Sequence, residues 1–233
     1  MKIGLFGYGR MGKMIDRLAP GRDHQVIARI DGPRDDIPFA DMDAAIDFSQ
    51  PEAAVDNIRQ CLENGVPVVS GTTGWLADFE KVTELCRQKE GAFLYASNFS
   101  LGVNLFFELN RHLAQLISGV PGYAVRLTEI HHTGKKDAPS GTAISLAEGI
   151  IEKGDYQGWT LEGSEPGKVP IRSERKGEVP GTHRVAWESA VDRIEISHRA
   201  HNREGFALGA LLAAEWLVGK KGVYSMRDVL NLR

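Results

Sequence analysis

Two histidines, two lysines and a Pro-Ser-Gly-Thr turn fall within one short stretch, His131-His132-Thr133-Gly134-Lys135-Lys136-Asp137-Ala138-Pro139-Ser140-Gly141-Thr142. Imidazoles exchange protons near neutral pH, and ammonium groups pair with carboxylates. Pro139 suits a first helical turn, so the amides of Ser140, Gly141 and Thr142 are expected to stay free for an anion. Such a set fits a carboxylate substrate and a proton transfer. A solvated polar loop is the plainer alternative. Adjacent histidines also invite a metal, but the sequence offers no third well-placed ligand, and none is expected.

A second constellation opens the chain. Gly7-Tyr8-Gly9-Arg10-Met11-Gly12 is a G-x-G-x-x-G between a strand pattern and a helix pattern. Gly7 permits the tight turn, Gly9 lets backbone approach a pyrophosphate, and Gly12 lets helix and strand pack closely. Asp31 ends the next strand pattern, where an acid bonds ribose hydroxyls. A carboxylate there repels the extra phosphate of NADPH, so NADH is favoured over NADPH. Arg34 either offsets that repulsion or is an exposed loop charge. Gly71-Thr72-Thr73-Gly74 follows another strand at the edge where open α/β sheets bind ligands; it either holds ligand oxygens or is a plain turn.

These residues need a scaffold, and the hydrophobic pattern supplies one. Strands over Lys2–Phe6, Gln25–Ile30, 44–48, 66–69 and Ala92–Tyr95 alternate with helices over 11–18, after Pro51, and over 76–87. That rhythm predicts an α/β domain: a Rossmann-like, doubly wound parallel sheet over 1–100. A long amphipathic helix over 103–117 changes the rhythm. A strand over 124–132, a helix over 141–151 and strands over 171–175, 183–187 and 193–198 predict an α+β domain with an open mixed sheet over 101–202. Residues 154–168 read as a surface loop, and 205–218 as a strongly apolar helix within a last segment, 203–233.

With 233 residues, 42% apolar and 25% charged, the chain can bury ordinary cores. A net charge of −3 argues against nucleic acid as a partner. No apolar run is long enough to span a bilayer, so no membrane role is expected. Met1-Lys2 run straight into a strand pattern, and Cys61 and Cys86 read as buried thiols; a cytoplasmic location is expected.

The segment from Glu129 to Ala143 resembles the pattern of 4-hydroxy-tetrahydrodipicolinate reductases, approximately E-x-H-H-x-x-K-x-D-A-P-S-G-T-A. The resemblance extends over nearly the whole chain: the glycine loop, Asp47-Phe48-Ser49, Gly71 to Gly74, Ser97 to Asn104, Gly177 to His183, and on to Arg203 and Phe206. It implies reduction of a cyclic dicarboxylate on the route to diaminopimelate and lysine. His131 matches the proton donor and acceptor, and Lys135 the proton-donating lysine. His132, with the backbone of Gly141 and Thr142, matches the substrate-carboxylate site. Gly7, Tyr8, Gly9, Arg10, Met11, Gly12, Asp31, Gly71, Thr72, Thr73, Ala96, Ser97, Asn98 and Phe99 match contacts to NADH or NADPH. The resemblance also implies a homotetramer and a last helix returning to the first domain.

Two features depart from that pattern. Only a dozen residues separate Asp31 from Ala44, too few for a usual crossover helix, which is expected to be missing. Lys136 follows Lys135, so spacing alone leaves open which ammonium points inward; the resemblance favours Lys135. A homoserine- or aspartate-type dehydrogenase would share the glycine loop but not the His-His-Lys stretch. A non-catalytic nucleotide sensor would keep only the fold.

Overall fold

The structure, a computed structural model, describes residues 1–232. The chain divides into two compact units. One comprises Met1–Leu101 together with the segment from Glu204 onward; the other is Gly102–Arg203.

In the first unit, β1 (Lys2–Phe6), α1 (Arg10–Leu18), β2 (Gln25–Ile30), β3 (Ala44–Asp47), α2 (Pro51–Glu63), β4 (Val68–Ser70), α3 (Phe79–Gln88) and β5 (Ala92–Tyr95) build a parallel sheet. Its short strands read Ile-Gly-Leu-Phe or Ala-Ala-Ile because both faces are covered. The connection from β2 to β3 carries a single 3-10 turn, Phe39–Asp41, and no α-helix, as its length requires. Strand β4 starts two residues later than the apolar run suggested, and the expected helix over 76–87 opens with a 3-10 turn, Leu76–Asp78.

In the second unit, α4 (Leu101–Ile117) leads to β6 (Ala124–His131), α5 (Gly141–Lys153), β7 (Gly158–Leu161), β8 (Lys168–Arg175), β9 (Thr182–Glu188) and β10 (Arg193–Arg199). The sheet order is β10-β9-β6-β8-β7. β10, β9 and β6 pair antiparallel, and β6, β8 and β7 pair parallel, so the sheet is mixed. Helix residues Phe106, Ala114, Leu146 and Ile150 pack with Val125, Leu127, Ile171 and Val185 on one face. The opposite face keeps Arg126, Arg172 and Arg184 exposed.

The reading of 154–168 as a loop is corrected: β7 lies within it, paired parallel with β8 from Gly158↔Lys168 to Leu161↔Ile171. Gly-Trp-Thr-Leu is too short to announce itself locally and becomes a strand through that pairing.

The chain then returns to the first unit. In α6 (Glu204–Leu217), Ala207, Ala210, Leu211, Ala214 and Leu217 are fully buried with Ile3, Leu5 and Ile15. Beyond it, β11 (Gly222–Tyr224) adds a parallel strand beside β5, and α7 (Met226–Val229) is a single turn in which the Asp228 carboxylate accepts the Ser225 amide. The first sheet thus has the order β11-β5-β4-β3-β1-β2. Among the described residues no helix is long and apolar enough to cross a membrane. Cys61 and Cys86 are both free and buried.

Candidate active site

Each unit carries one constellation. In the first, β1 lies between β2 and β3, and the crevice at their carboxyl ends is where the order of connections reverses. Gly7 adopts φ +88°, and a Cβ there would sit 2.1 Å from the Phe48 carbonyl oxygen; one at Gly12 would sit 2.2 Å from the Gly7 oxygen. The space that a Cβ would take at Gly9 is open. No side chain caps α1, so its first-turn amides remain available to an anion. A groove of about 450 Å³ here is lined by Gly7, Gly9, Asp31, Phe48, Glu52 and Asp56 among others. This cradle of close backbone, open glycine and helix start fits a dinucleotide.

The Tyr8 amide donates to Asp31 Oδ1 at 3.2 Å, which fixes the carboxylate at the end of β2. Arg34 is held by both oxygens of Asp36 at 2.6 Å and does not line the groove. The side chain of Thr72 turns inward: its hydroxyl donates to Asp47 at 2.7 Å and accepts the Ser49 amide, and its carbonyl accepts from Trp75. Asp47 collects further hydrogen bonds from Ser49, Ser70 and Asn57. Burial pushes its carboxyl up, while those donors pull the other way. The ring of Phe99 is also internal, edge-on to Phe48 at 5.6 Å between centroids. Thr72 and Phe99 can therefore offer a ligand no side chain. Thr73 and Ser97 are exposed, whereas Asn98 Oδ1 accepts the Ser100 amide.

The second constellation grows from β6. Its core-facing residues are Val125, Leu127, Glu129 and His131, so a carboxylate and an imidazole continue a buried apolar face. Strand pairing places His183 of β9 and Ser173 of β8 on either side of Glu129. Glu129 is fully buried and accepts from the Ser140 amide at 3.1 Å and from Ser173 Oγ at 2.7 Å, with the Arg175 guanidinium 3.4 Å away. Burial pushes the Glu129 carboxyl up. The neighbouring His131 and His183 rings and the hydrogen bonds from Ser140 and Ser173 outweigh it and hold the group far below the usual carboxylate range. Burial likewise keeps His183 below its ordinary value.

One expectation is overturned here: the Ser140 amide is not free for an anion. It is taken by Glu129, and Ser140 Oγ caps α5 through the Ala143 amide. The sequence offered no third metal ligand beside the paired histidines, but the fold brings other donors to His131. Glu129, His131 and His183 bring donor atoms within 4.8 Å of one another. The Glu129 carboxylate is already paired with the Arg175 guanidinium and held by Ser140 and Ser173, so the cluster stands as a buried ion-pair network.

The loop after β6 is braced from β8. Arg175 donates to the carbonyls of Lys135 and Asp137, and the Thr133 amide donates to the Gly177 carbonyl. Lys135 is partly buried, its ammonium 2.7 Å from both Asp137 oxygens, whereas Lys136 is exposed. His132 stands beside the guanidinium of Arg203, 3.5 Å from Nε2. The structure thus gathers His131, His132, Lys135 and the start of α5 around one strand end. It adds Glu129, Arg175, His183 and Arg203. Of these, Glu129 carries a local signal: a charged residue in phase with the buried positions of an alternating strand.

Comparison with known proteins gives concordant matches. A family model described as the dihydrodipicolinate reductase N-terminus matches residues 1–99, and one for the C-terminus of the same family matches 102–230. A 4-hydroxy-tetrahydrodipicolinate reductase of Christiangramia forsetii is 50% identical over 237 residues, spanning 99% of this chain and 98% of its own. That of Anaeromyxobacter dehalogenans is 42% identical over 206 residues, spanning 84% and 75%. Among solved structures, a dipicolinate-bound dihydrodipicolinate reductase from Paenisporosarcina sp. TG-14 superposes with a TM-score of 0.80, covering 98% of both chains. At 21% identity, that likeness concerns the fold.

Proposed function

The chain belongs to the dihydrodipicolinate reductase family, and from that premise we propose how its residues share the work. The reaction is the nicotinamide-dependent reduction of 4-hydroxy-tetrahydrodipicolinate in diaminopimelate and lysine biosynthesis. The dinucleotide, when bound, supplies the hydride. The protein's part is to bind the dicarboxylate, exclude water and move a proton. His131 is the proton-exchanging group and Lys135 the proton-donating ammonium. His132 and the backbone of Gly141 and Thr142 hold a substrate carboxylate. The observation that carries this assignment is the convergence of His131, the Lys135 loop and the first turn of α5 at the end of β6. Dinucleotide oxidation is expected with synthase-generated substrate and not with aspartate or homoserine dehydrogenase substrates; the reverse pattern would reject the assignment.

NADH is the preferred cofactor in this reading, with Gly7 to Gly12, Asp31, Gly71 to Thr73 and Ala96 to Phe99 around it. Asp31, Glu52 and Asp56 line the groove with no lysine or arginine among the lining residues, and Arg34 is engaged by Asp36. A 2′-phosphate would meet like charge at close range. NADH is expected to be used at least as well as NADPH, and Asp31→Ser should shift the ratio of kcat/KM toward NADPH. A strong preference for NADPH in the unaltered enzyme would assign the site to Arg34 instead.

The assembly proposed is a homotetramer built through the second unit. Its sheet leaves one face uncovered and ends in the exposed edges of β7 and β10. Light scattering at micromolar concentration should give four times the chain mass. A monomer would refute this assembly.

A further inference from the structure

We infer that Glu129 is a positioning residue that holds the His131 imidazole with its proton on Nδ1 and leaves Nε2 as the proton-exchanging atom. The inference rests on the reading of His131 as the group that moves the proton. Its basis is the geometry of three strands rather than the sequence pattern.

Glu129 and His131 are two residues apart on the buried face of β6, so their side chains point the same way. His131 Nδ1 lies 3.3 Å from Glu129 Oε2, outside hydrogen-bond alignment, and has no hydrogen-bond partner among the described residues. A buried N–H without an acceptor is costly, and the carboxylate is the acceptor within reach. The opposite edge of the ring meets Gly181, where a Cβ would sit 3.2 Å from Nε2. The lack of a side chain at Gly181 keeps that edge uncrowded.

The carboxylate is itself immobilised. The Ser140 amide at the start of α5 and Ser173 Oγ and Arg175 on β8 hold Glu129 from two elements, so it can impose an orientation on the ring rather than follow it. His183, opposite Glu129 on β9, packs edge-on to His131 with centroids 5.1 Å apart and closes the remaining side. The titratable and charged groups around the ring are thus Glu129 on its own strand, Arg175 on β8, His183 on β9 and Lys135 in the loop. Asp137 is also nearby but is paired with Lys135, so Glu129 is the anion in contact with the ring. Its negative charge stabilises the imidazolium that forms when His131 takes a proton, as an oriented carboxylate does for other catalytic imidazoles.

Histidine-selective 15N NMR on the full protein tests this without reference to turnover. In the unaltered protein His131 should be the Nδ1–H tautomer when neutral. In Glu129→Gln the neutral amide no longer supports the imidazolium, so the His131 titration should move to lower pH. The corresponding limb of the kcat profile should move with it. kcat should fall about 100- to 10,000-fold, with KM for the dinucleotide little changed. A His131 found as the Nε2–H tautomer, or an unchanged titration in Glu129→Gln, would overturn the inference. If Glu129→Gln does not fold, the tautomer in the unaltered protein decides alone. If His131→Ala keeps its turnover, the catalytic reading fails, while the tautomer measurement still decides the positioning role.

Discussion

Turnover is expected to fall about 100- to 10,000-fold when His131 or Lys135 is replaced by alanine, the range that general acid–base groups contribute. The two side chains sit at one strand end, one buried beside an ionised carboxylate and the other partly buried beside Asp137. Neither is needed to hold the second sheet together. Glu129 keeps Arg175, Ser140 and Ser173 when the imidazole is gone, and Asp137 remains exposed when the ammonium is gone. Circular dichroism should therefore show an unchanged fold. Lys136→Ala should have a much smaller effect, because that side chain projects into solvent. Near-normal turnover in both His131→Ala and Lys135→Ala would remove the assignment, and a larger loss at Lys136 would reverse the two lysines.

The second large effect is expected at Gly7. Alanine there must adopt φ +88°, which costs a residue with a side chain about 1–3 kcal/mol. Its Cβ would also be driven to 2.1 Å from the Phe48 carbonyl oxygen, and overpacking of that kind adds about 1–3 kcal/mol. Relief requires Gly7 and the start of the loop after β3 to separate, and Gly7, Phe48 and Ser49 line the groove proposed for the dinucleotide. Gly7→Ala is thus expected to lower unfolding stability by about 2–6 kcal/mol in urea titration. Dinucleotide affinity should weaken in parallel. A variant with unchanged stability and affinity would show that the loop has an alternative conformation the glycine does not need. Gly9→Ala separates the two effects: no protein atom lies within 4 Å of a Cβ there, so stability should hold while dinucleotide binding suffers.

What could be read along the chain was whatever depends on neighbours in sequence. The strand–glycine–helix start, the alternation of short apolar strands with helices, and the missing crossover after Asp31 are local in this sense. So is the composition of the His131–Thr142 stretch. Backbone geometry and short-range periodicity dictate them, and the structure places them where the pattern indicated.

Tertiary structure decided what depends on partners far along the chain. Gly-Trp-Thr-Leu at 158–161 becomes a strand because β8 pairs with it, and Val223 enters the first sheet because β5 offers an edge. Thr72 turns inward because the buried Asp47 carboxylate needs donors. Lys135 rather than Lys136 stays partly buried because Arg175, forty residues later, braces the loop between them and β8. Ser140 surrenders its amide to Glu129 because a carboxylate on a sheet's core face must find hydrogen bonds there, and the ones it finds come from the start of α5 and from β8. Strand register alone determines which side chains stand opposite one another, and register is settled by pairing across the whole sheet.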